Sequence, residues 1–124
     1  MNSPTKRTLD LLRKEGWPLV EVTERWNSFA RVRKDLFGFI DVLAVKGDRI
    51  QAVQSTSGAN VSARWEKMRY LPAVGHWLSN GSRELVIHGW AKRGERGKAK
   101  RWTCRIVSLR LGATGAVEQT ELTS

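Results

Sequence analysis

Cysteine is almost absent from this chain, because Cys104 is the only one among 124 residues. A single cysteine excludes an intrachain disulfide and a zinc site built from several thiolates. The only two histidines, His76 and His88, are twelve residues apart and match no zinc-binding pattern. The fold must therefore be stabilised by an apolar core, for which the hydrophobic content of 40% is adequate.

Long hydrophobic runs are missing as well. No segment approaches the length of a membrane span, and the N-terminus has no apolar signal core. Nucleophile-elbow and Walker-type motifs are also absent. The sequence predicts a cytoplasmic protein with a single domain over residues 1–111. Residues 112–124 show no clear period, and we expect them to form a frayed C-terminal tail.

Acidic residues are outnumbered by basic ones. The chain has 12 Asp and Glu against 22 Lys and Arg, for a net charge of +10. The charge is unevenly placed, since the segment 92–101 carries six basic residues and one acid, whereas the last thirteen residues carry no base. Such a balance favours binding to polyphosphate over a basic surface kept for solubility. Six tryptophans are expected mostly in the core, with one or two available to stack on bases.

The periodicity of apolar residues predicts a mixed α/β protein. Ser3 can cap a helix over residues 4–15, and Asn60 can cap a second helix over residues 61–79 that Pro72 kinks or restarts. Strands are predicted over residues 17–26, 37–46, 49–56, 84–91 and 101–111, with a basic connection over 27–35 and a tight turn at Gly47.

Asp41 is the most informative single residue. It is the only charge in the apolar run at residues 37–45, where an unpaired carboxylate is costly unless it is protonated, paired or bound to a cation. Gln54 follows thirteen residues later in the next predicted strand. An acid and a second polar group on neighbouring strands can position a divalent metal ion. The alternative is a buried structural acid paired with a base such as Arg64.

This order of elements, with Asp41 in one strand and the sequence Gln54-Ser55-Thr56 in the next, resembles the PD-(D/E)XK nuclease superfamily. It is most similar to the small archaeal-type Holliday junction resolvases and to related phage and bacterial proteins. The resemblance covers about residues 5–110 and implies a restriction-endonuclease-like fold, with a mixed central sheet of about five strands flanked by helices. It further implies a metal-dependent DNA endonuclease using Mg²⁺ or Mn²⁺, and a homodimer acting on branched DNA.

Asp41 matches the first acid of the family motif, and Gln54 stands where the family has Glu or Asp. Thr56 stands where it has a catalytic Lys, so another base would have to substitute, for example Lys34, Lys46 or Arg64. The family often adds an acid near the N-terminus, for which Glu15, Glu21 and Glu24 are candidates. The predicted catalytic residues are Asp41, Gln54, Glu24 and Asp35, and the predicted metal ligands are Asp41, Gln54 and Glu24.

Each of these candidates has a structural alternative. Asp35 could instead form a salt bridge with Arg31 or Arg33. Glu24 could be a solvated strand end, and Gln54 could be a polar group satisfied by the backbone. A catalytically degenerate fold that only binds nucleic acid is the alternative function. Two regions are expected to contact nucleic acid, the strand-to-helix junction, where free N–H groups favour anions, and the basic segments. The predicted contacts are Arg31, Arg33, Lys34, Ser55, Thr56, Ser57, Arg64, Lys92, Arg93, Arg96, Lys98, Lys100 and Arg101.

Overall fold

The computed structural model describes residues 3–94 and 96–122. Three helices and eight strands follow one another in these residues. They are α1 (Pro4–Lys14), β1 (Leu19–Val22), β2 (Arg25–Asn27), β3 (Val32–Lys34), β4 (Val42–Lys46), β5 (Arg49–Ser57), α2 (Val61–Met68), α3 (Pro72–Leu78), β6 (Arg83–Arg93), β7 (Arg101–Leu111) and β8 (Val117–Glu121). A short 3₁₀ turn, Gly58–Asn60, joins β5 to α2.

Six of the strands form one mixed sheet in the order β1-β4-β5-β6-β7-β8. All neighbouring pairs are antiparallel except β5 and β6, which run parallel. A parallel pair needs a crossover connection, and α2 and α3 provide it. The remaining strands, β2 and β3, form a separate two-stranded ribbon. The predicted α/β class and mixed sheet are confirmed, with six strands in the sheet instead of about five.

Local sequence signals explain several of these elements. Ser3 caps α1, because its hydroxyl accepts a hydrogen bond from the Lys6 N–H at 3.2 Å. The α1 helix is followed by Gly16 with a φ of 88°, a left-handed conformation that glycine adopts without steric cost. Gly47 likewise has a positive φ in the turn between β4 and β5, as the hairpin prediction requires.

Two apolar clusters cover the two faces of the sheet. The α1 helix packs on one face, where Leu12 and Trp17 meet Val53 of β5. The other face holds the larger cluster, in which Met68 of α2 and Val74 of α3 belong to the same buried set. The side chains of β5 alternate between the faces, as in any strand. Of the six tryptophans, Trp17 is buried and Trp65 and Trp77 are partly buried against the larger cluster, as expected of core anchors, whereas Trp26 and Trp102 are exposed.

The structure corrects the N-terminal strand assignments. The predicted strand 17–26 is interrupted. Its first part is β1, whose pairing with β4 ends at Val22. Residues 25–34, expected to extend this strand and then form an irregular connection, instead build the β2–β3 ribbon. The predicted strand 37–46 is shortened to β4, because Phe37 and Gly38 have positive φ angles in a tight turn.

The C-terminal assignments are also partly wrong. Residues 117–121 form β8, which pairs with β7 from Val107 to Leu111, so the expected frayed tail is a sheet strand over these residues. The predicted restart of the 61–79 helix at Pro72 is confirmed, because residues 69–71 separate α2 from α3 and Pro72 opens α3. Asn60 is the N-cap residue of α2 as predicted, but its side chain makes no capping hydrogen bond.

Candidate functional site

Three carboxylates meet at the base of the ribbon. Glu24 immediately precedes β2, Asp35 immediately follows β3, and Asp41 immediately precedes β4. One oxygen atom from each lies within 4.8 Å of those of the other two. The ribbon is thus the connection between two of the acids, and its closure brings together side chains that are eleven residues apart in the chain. The predicted association of Asp41 with Glu24 and Asp35 is confirmed as a spatial cluster.

Asp41 is the buried member of the cluster, with an exposed fraction of 3%. Its backbone continues the sheet hydrogen bonding, because its N–H donates to Val53 O and its carbonyl accepts from Thr23 N. Its side chain accepts hydrogen bonds from the Ser55 N–H at 2.8 Å and from Gln54 Nε2 at 2.5 Å. These contacts fix the carboxylate, and they replace the pairing with Arg64 that was the structural alternative.

Burial, followed by the neighbouring Asp35 and Glu24, raises the pKa of Asp41 to about 8, even though the bond from the Ser55 N–H acts to lower it. A carboxylate beside other carboxylates is held in its protonated form unless a cation compensates the charge. Ionisation of Asp41 is therefore unfavourable in the metal-free site, and a bound cation would make it favourable.

Gln54 bridges two of the acids. Its Nε2 donates to Asp41 Oδ2 and lies 3.4 Å from Asp35 Oδ2. A half-turn of the amide group would present the oxygen of Gln54 to the same space, since the two ends of the amide are nearly equal in shape. The expected proximity of Gln54 to Asp41 is confirmed. The hydrogen bonds of the Gln54 amide group go to carboxylate side chains and not to the backbone, as the alternative required.

A cavity of about 610 Å³ opens over the acids. Its charged lining residues other than the three acids are all basic: Arg33 and Lys34 from β3, and Arg64 and Lys67 from α2. Thr5, Gly38, Gln54 and Ser55 complete the lining. Lys67 was missed from the sequence, although its position three residues after Arg64 in the helix that follows β5 places both on one helix face.

Arg33 also contacts the acids directly. Its Nη1 donates to Glu24 Oε1 at 3.2 Å. Arg33 therefore forms its salt bridge with Glu24 and not with Asp35, as had been considered. Glu24 is accordingly more than a solvated strand end.

A buried polar network fastens α1 beneath the site. Thr8 Oγ1 lies 2.9 Å from Ser55 Oγ and 3.1 Å from His88 Nδ1, and it accepts a hydrogen bond from Trp90 Nε1 at 3.0 Å. Burial lowers the pKa of His88 to about 4. Because the Ser55 N–H binds Asp41 and the Ser55 hydroxyl faces Thr8, the network connects the position of α1 to that of the acid.

The predicted anion-binding junction is only partly exposed. Thr56 is buried, and Ser55 commits its N–H to Asp41 and its hydroxyl to the Thr8 network. Ser55 lines the cavity with its polar groups already bonded, and the predicted phosphate contacts of Ser55 and Thr56 stay a prediction. Ser57 precedes the 3₁₀ turn as its cap residue, without a side-chain capping bond.

The remaining predicted nucleic-acid contacts lie on two hairpins. Arg31 is exposed in the turn of the ribbon. The others lie at the far end of the β6–β7 hairpin, where all are exposed: Lys92, Arg93, Arg96, Lys98, Lys100 and Arg101. Because β6 runs parallel to β5 and pairs with it up to Trp90, this hairpin projects from the same end of the sheet as the acids. Its bases are not among the described residues that line the cavity.

No protein-family model, curated protein or solved structure matches this chain. Within residues 3–94 and 96–122, no helix has the length and apolar character to cross a membrane.

The donor set suits a hard cation. Three carboxylates and an amide oxygen are ligand types that Mg²⁺ and Mn²⁺ take in proteins. The ligands that softer metals prefer are missing, because the described residues of the cavity lining include no histidine or cysteine. The surrounding bases would attract a polyanion to the same opening.

Proposed function

We propose that the protein is a metal-dependent DNA endonuclease of the PD-(D/E)XK type that uses Mg²⁺ or Mn²⁺. The observation that carries the proposal is the convergence of Glu24, Asp35 and Asp41 in a cavity whose other charged lining residues are all basic. An acidic cluster alone would repel a phosphodiester. The same cluster inside a basic rim fits a site that binds a cation and the phosphate beside it.

The roles follow from position. Asp41, Asp35 and Glu24 would hold the metal, with Gln54 as a neutral oxygen donor or as the group that orients the water. When bound, the cation would polarise the phosphate and lower the pKa of water. Arg33, which already contacts Glu24, would hold a phosphate oxygen at the rim.

Lys67 and Lys34 are the candidates for the missing family lysine. Thr56 occupies the motif position, but it is buried and carries no charge. Both Lys34 and Lys67 line the cavity with the acids, one from β3 and one from α2. An ammonium group arriving from either side would stabilise the developing negative charge on the phosphate. Lys46, considered from the sequence, lines a different cavity with Trp17 and is not part of this proposal.

The test compares Asp41→Asn with the matched control Asp48→Asn, which removes the same charge from the exposed turn between β4 and β5. Duplex, single-stranded and four-way junction DNA are incubated with each variant in Mg²⁺ or Mn²⁺. We expect wild type and Asp48→Asn to cleave at least one substrate, and Asp41→Asn to lose cleavage by about a hundredfold or more. DNA binding by Asp41→Asn should be unchanged or tighter, because the basic groups make the phosphate contacts.

Gln54→Glu provides the complementary change. A fourth carboxylate should tighten Mn²⁺ binding and enlarge the metal-induced rise in melting temperature. The thermal shift reads metal binding independently of cleavage. If wild type and Gln54→Glu both fail to cut any substrate and show no metal-dependent shift, the enzyme proposal is refuted.

A specific observation favours a second function. Gln54 satisfies Asp41 and Asp35 by hydrogen bonding, which lets the acids persist without a metal. A catalytically degenerate fold that only binds nucleic acid would keep such contacts. Under this function, DNA binding would be salt-dependent, no variant would cleave, and Gln54→Ala would destabilise the fold by leaving polar groups unpaired.

A further inference from the structure

The β2–β3 ribbon exposes aromatic side chains to solvent. It belongs to a separate two-stranded sheet rather than to the six-stranded one. Phe29 in its turn is fully exposed, and Trp26 on β2 is 62% exposed. Val32 on β3 is also exposed. Exposed aromatic side chains on a hairpin that also carries basic residues are candidates for a recognition surface.

The turn that carries Phe29 has a defined conformation. The side-chain oxygen of Asn27 accepts hydrogen bonds from the N–H groups of Phe29 at 3.0 Å and of Ala30 at 3.1 Å. Arg31 closes the turn with a φ of 53°. An asparagine that binds the backbone two and three residues ahead is a common turn-forming device. The Phe29 ring is therefore presented by an organised turn.

The ribbon is joined directly to the acidic cluster. Its first strand follows Glu24 and its second strand precedes Asp35, so both of its ends are anchored at the site. Trp26 pairs with Arg33, and directly opposite residues of an antiparallel pair lie on the same face. Because Arg33 lines the cavity, Trp26 shares its ribbon face with one of the cavity-lining residues.

The charge of the ribbon selects the partner. Residues 25–34 contain four bases and no acid: Arg25, Arg31, Arg33 and Lys34. Basic side chains between exposed aromatic rings suit a chain of phosphates with accessible base faces. Paired bases within a duplex offer no free face, whereas bases at a branch, bulge or gap do. A basic apolar tip could also contact an anionic membrane, but a membrane gives no reason to anchor the ribbon at a cluster of carboxylates.

We propose that the ribbon binds DNA with exposed base faces, with Phe29 and Trp26 stacking on bases at a branch or bulge and the neighbouring arginines contacting the flanking phosphates. The assignment of DNA as the polyanion rests on the proposed function. The ribbon adds a substrate class to it, because it would direct the cavity toward the strand beside a structural discontinuity.

The test measures binding in EDTA, where no metal-dependent cleavage occurs. Fluorescent four-way junction and bulged DNA are compared with an uninterrupted duplex of matched sequence. We expect Phe29→Ala to weaken binding to the junction and bulge by about tenfold and to change duplex binding by less than about twofold. Phe29→Trp should retain selectivity, and Phe29→Leu should lose it, because stacking requires an aromatic face. Tyr70→Ala removes another exposed aromatic, 72% exposed outside the ribbon, and should leave selectivity unchanged.

A base analogue gives a second readout. The fluorescence of 2-aminopurine beside the branch should be quenched by wild type and Phe29→Trp but not by Phe29→Ala. Equal losses on branched and duplex DNA, or no loss at all, would overturn the inference. Two other outcomes would also overturn it. In both, Phe29→Ala has no effect on branched DNA but weakens either binding to anionic phosphatidylserine vesicles or self-association in sedimentation. Each would assign the turn that carries Phe29 to another partner.

The two proposals fail separately. If branched DNA is selected through Phe29 but no variant cleaves DNA, the endonuclease proposal falls and the ribbon inference stands. If wild type cleaves DNA and Phe29→Ala binds and cleaves branched substrates normally, only the ribbon inference falls. The melting temperatures of the Phe29 variants should match that of wild type, because a fully exposed ring contributes little to the core.

Discussion

Asp41 combines burial with two acidic neighbours. Each effect disfavours its ionised form, and together they raise its pKa to about 8 from an ordinary value of 3.8. The hydrogen bond from the Ser55 N–H opposes them, since it stabilises the carboxylate. Below pH 8 the metal-free fold therefore keeps a proton that the unfolded chain would have released. The buried position that would favour a bound cation is for the same reason unfavourable to the ionised carboxylate in the metal-free fold at high pH.

The first pH prediction follows from this proton. Between pH 3.8 and about 8, the folded state binds the extra proton on Asp41, so the free energy of unfolding decreases as pH rises. His88, with its pKa lowered from 6.5 to about 4, acts oppositely over pH 4 to 6.5, where stability increases with pH. The two contributions offset each other there, and the window from pH 6.5 to 8 isolates Asp41.

In that window we expect the metal-free protein to lose about 1 to 2 kcal/mol of unfolding free energy. Asp41→Asn should flatten the slope, and saturating Mg²⁺ should stabilise wild type more at pH 8 than at pH 6.5, because the metal binds the ionised form. Urea unfolding at a series of pH values measures both. A wild-type slope that equals that of Asp41→Asn would contradict the assigned pKa.

Among the secondary-structure elements, the close packing of α2 on the sheet depends on one glycine. Gly89 lies in β6 opposite the start of α2, and a Cβ there would overlap Val61 Cγ2 and come within 3.3 Å of Gly58 Cα. Glycine at this position lets the 3₁₀ turn and the first residue of α2 rest directly on β6. The placement of α2 in turn brings Arg64 and Lys67 to the cavity rim.

We expect Gly89→Ala to destabilise the protein by about 1 to 3 kcal/mol and to weaken DNA binding, because α2 must move outward with its two bases. Gly75→Ala is the matched control. It adds the same methyl group within α3, where nothing lies within 4 Å, and should be neutral or stabilising by up to about 1 kcal/mol. Thermal unfolding and DNA binding are measured for both. Equal effects of the two substitutions would show that packing at Gly89 is not special.

For the whole molecule, three groups of basic residues lie around one end of the sheet, within a chain whose net charge is +10. The ribbon, the cavity rim and the β6–β7 hairpin all lie near the C-terminal end of β5, where Asp41 pairs with it. A polyanion approaching this end meets three basic surfaces before it meets the acids. The homodimer implied by the family resemblance stays a prediction, to be tested by sedimentation with and without branched DNA.

The charge arrangement predicts strong salt dependence. If about five phosphates are contacted, a plot of log affinity against log salt for duplex DNA should have a slope of roughly −4 to −5. Arg64→Gln and Lys67→Gln together should reduce the slope by about 1 to 2, because they remove two rim contacts. Binding that does not change with salt, or a slope unaffected by these substitutions, would argue against the cavity as the DNA site.

Sequence alone determined the features that are local. Ser3 and Pro4 specify the start of α1, and Gly47 specifies the turn between β4 and β5. The isolation of Asp41 in an apolar run was enough to mark it as a candidate ligand, because a charge at such a position needs compensation. These signals depend only on residues close in the chain, and for that reason they could be predicted.

The tertiary structure decided which side chains meet. Residues 25–34 have too few apolar positions to reveal a ribbon, yet its closure is what brings Glu24 and Asp35 to Asp41. Lys67 reaches the cavity only because α2 packs where it does, and residues 117–121 become a strand only because β7 offers an edge. Convergence of this kind arises from pairing and packing between distant segments, whose energies are not contained in any local stretch of sequence.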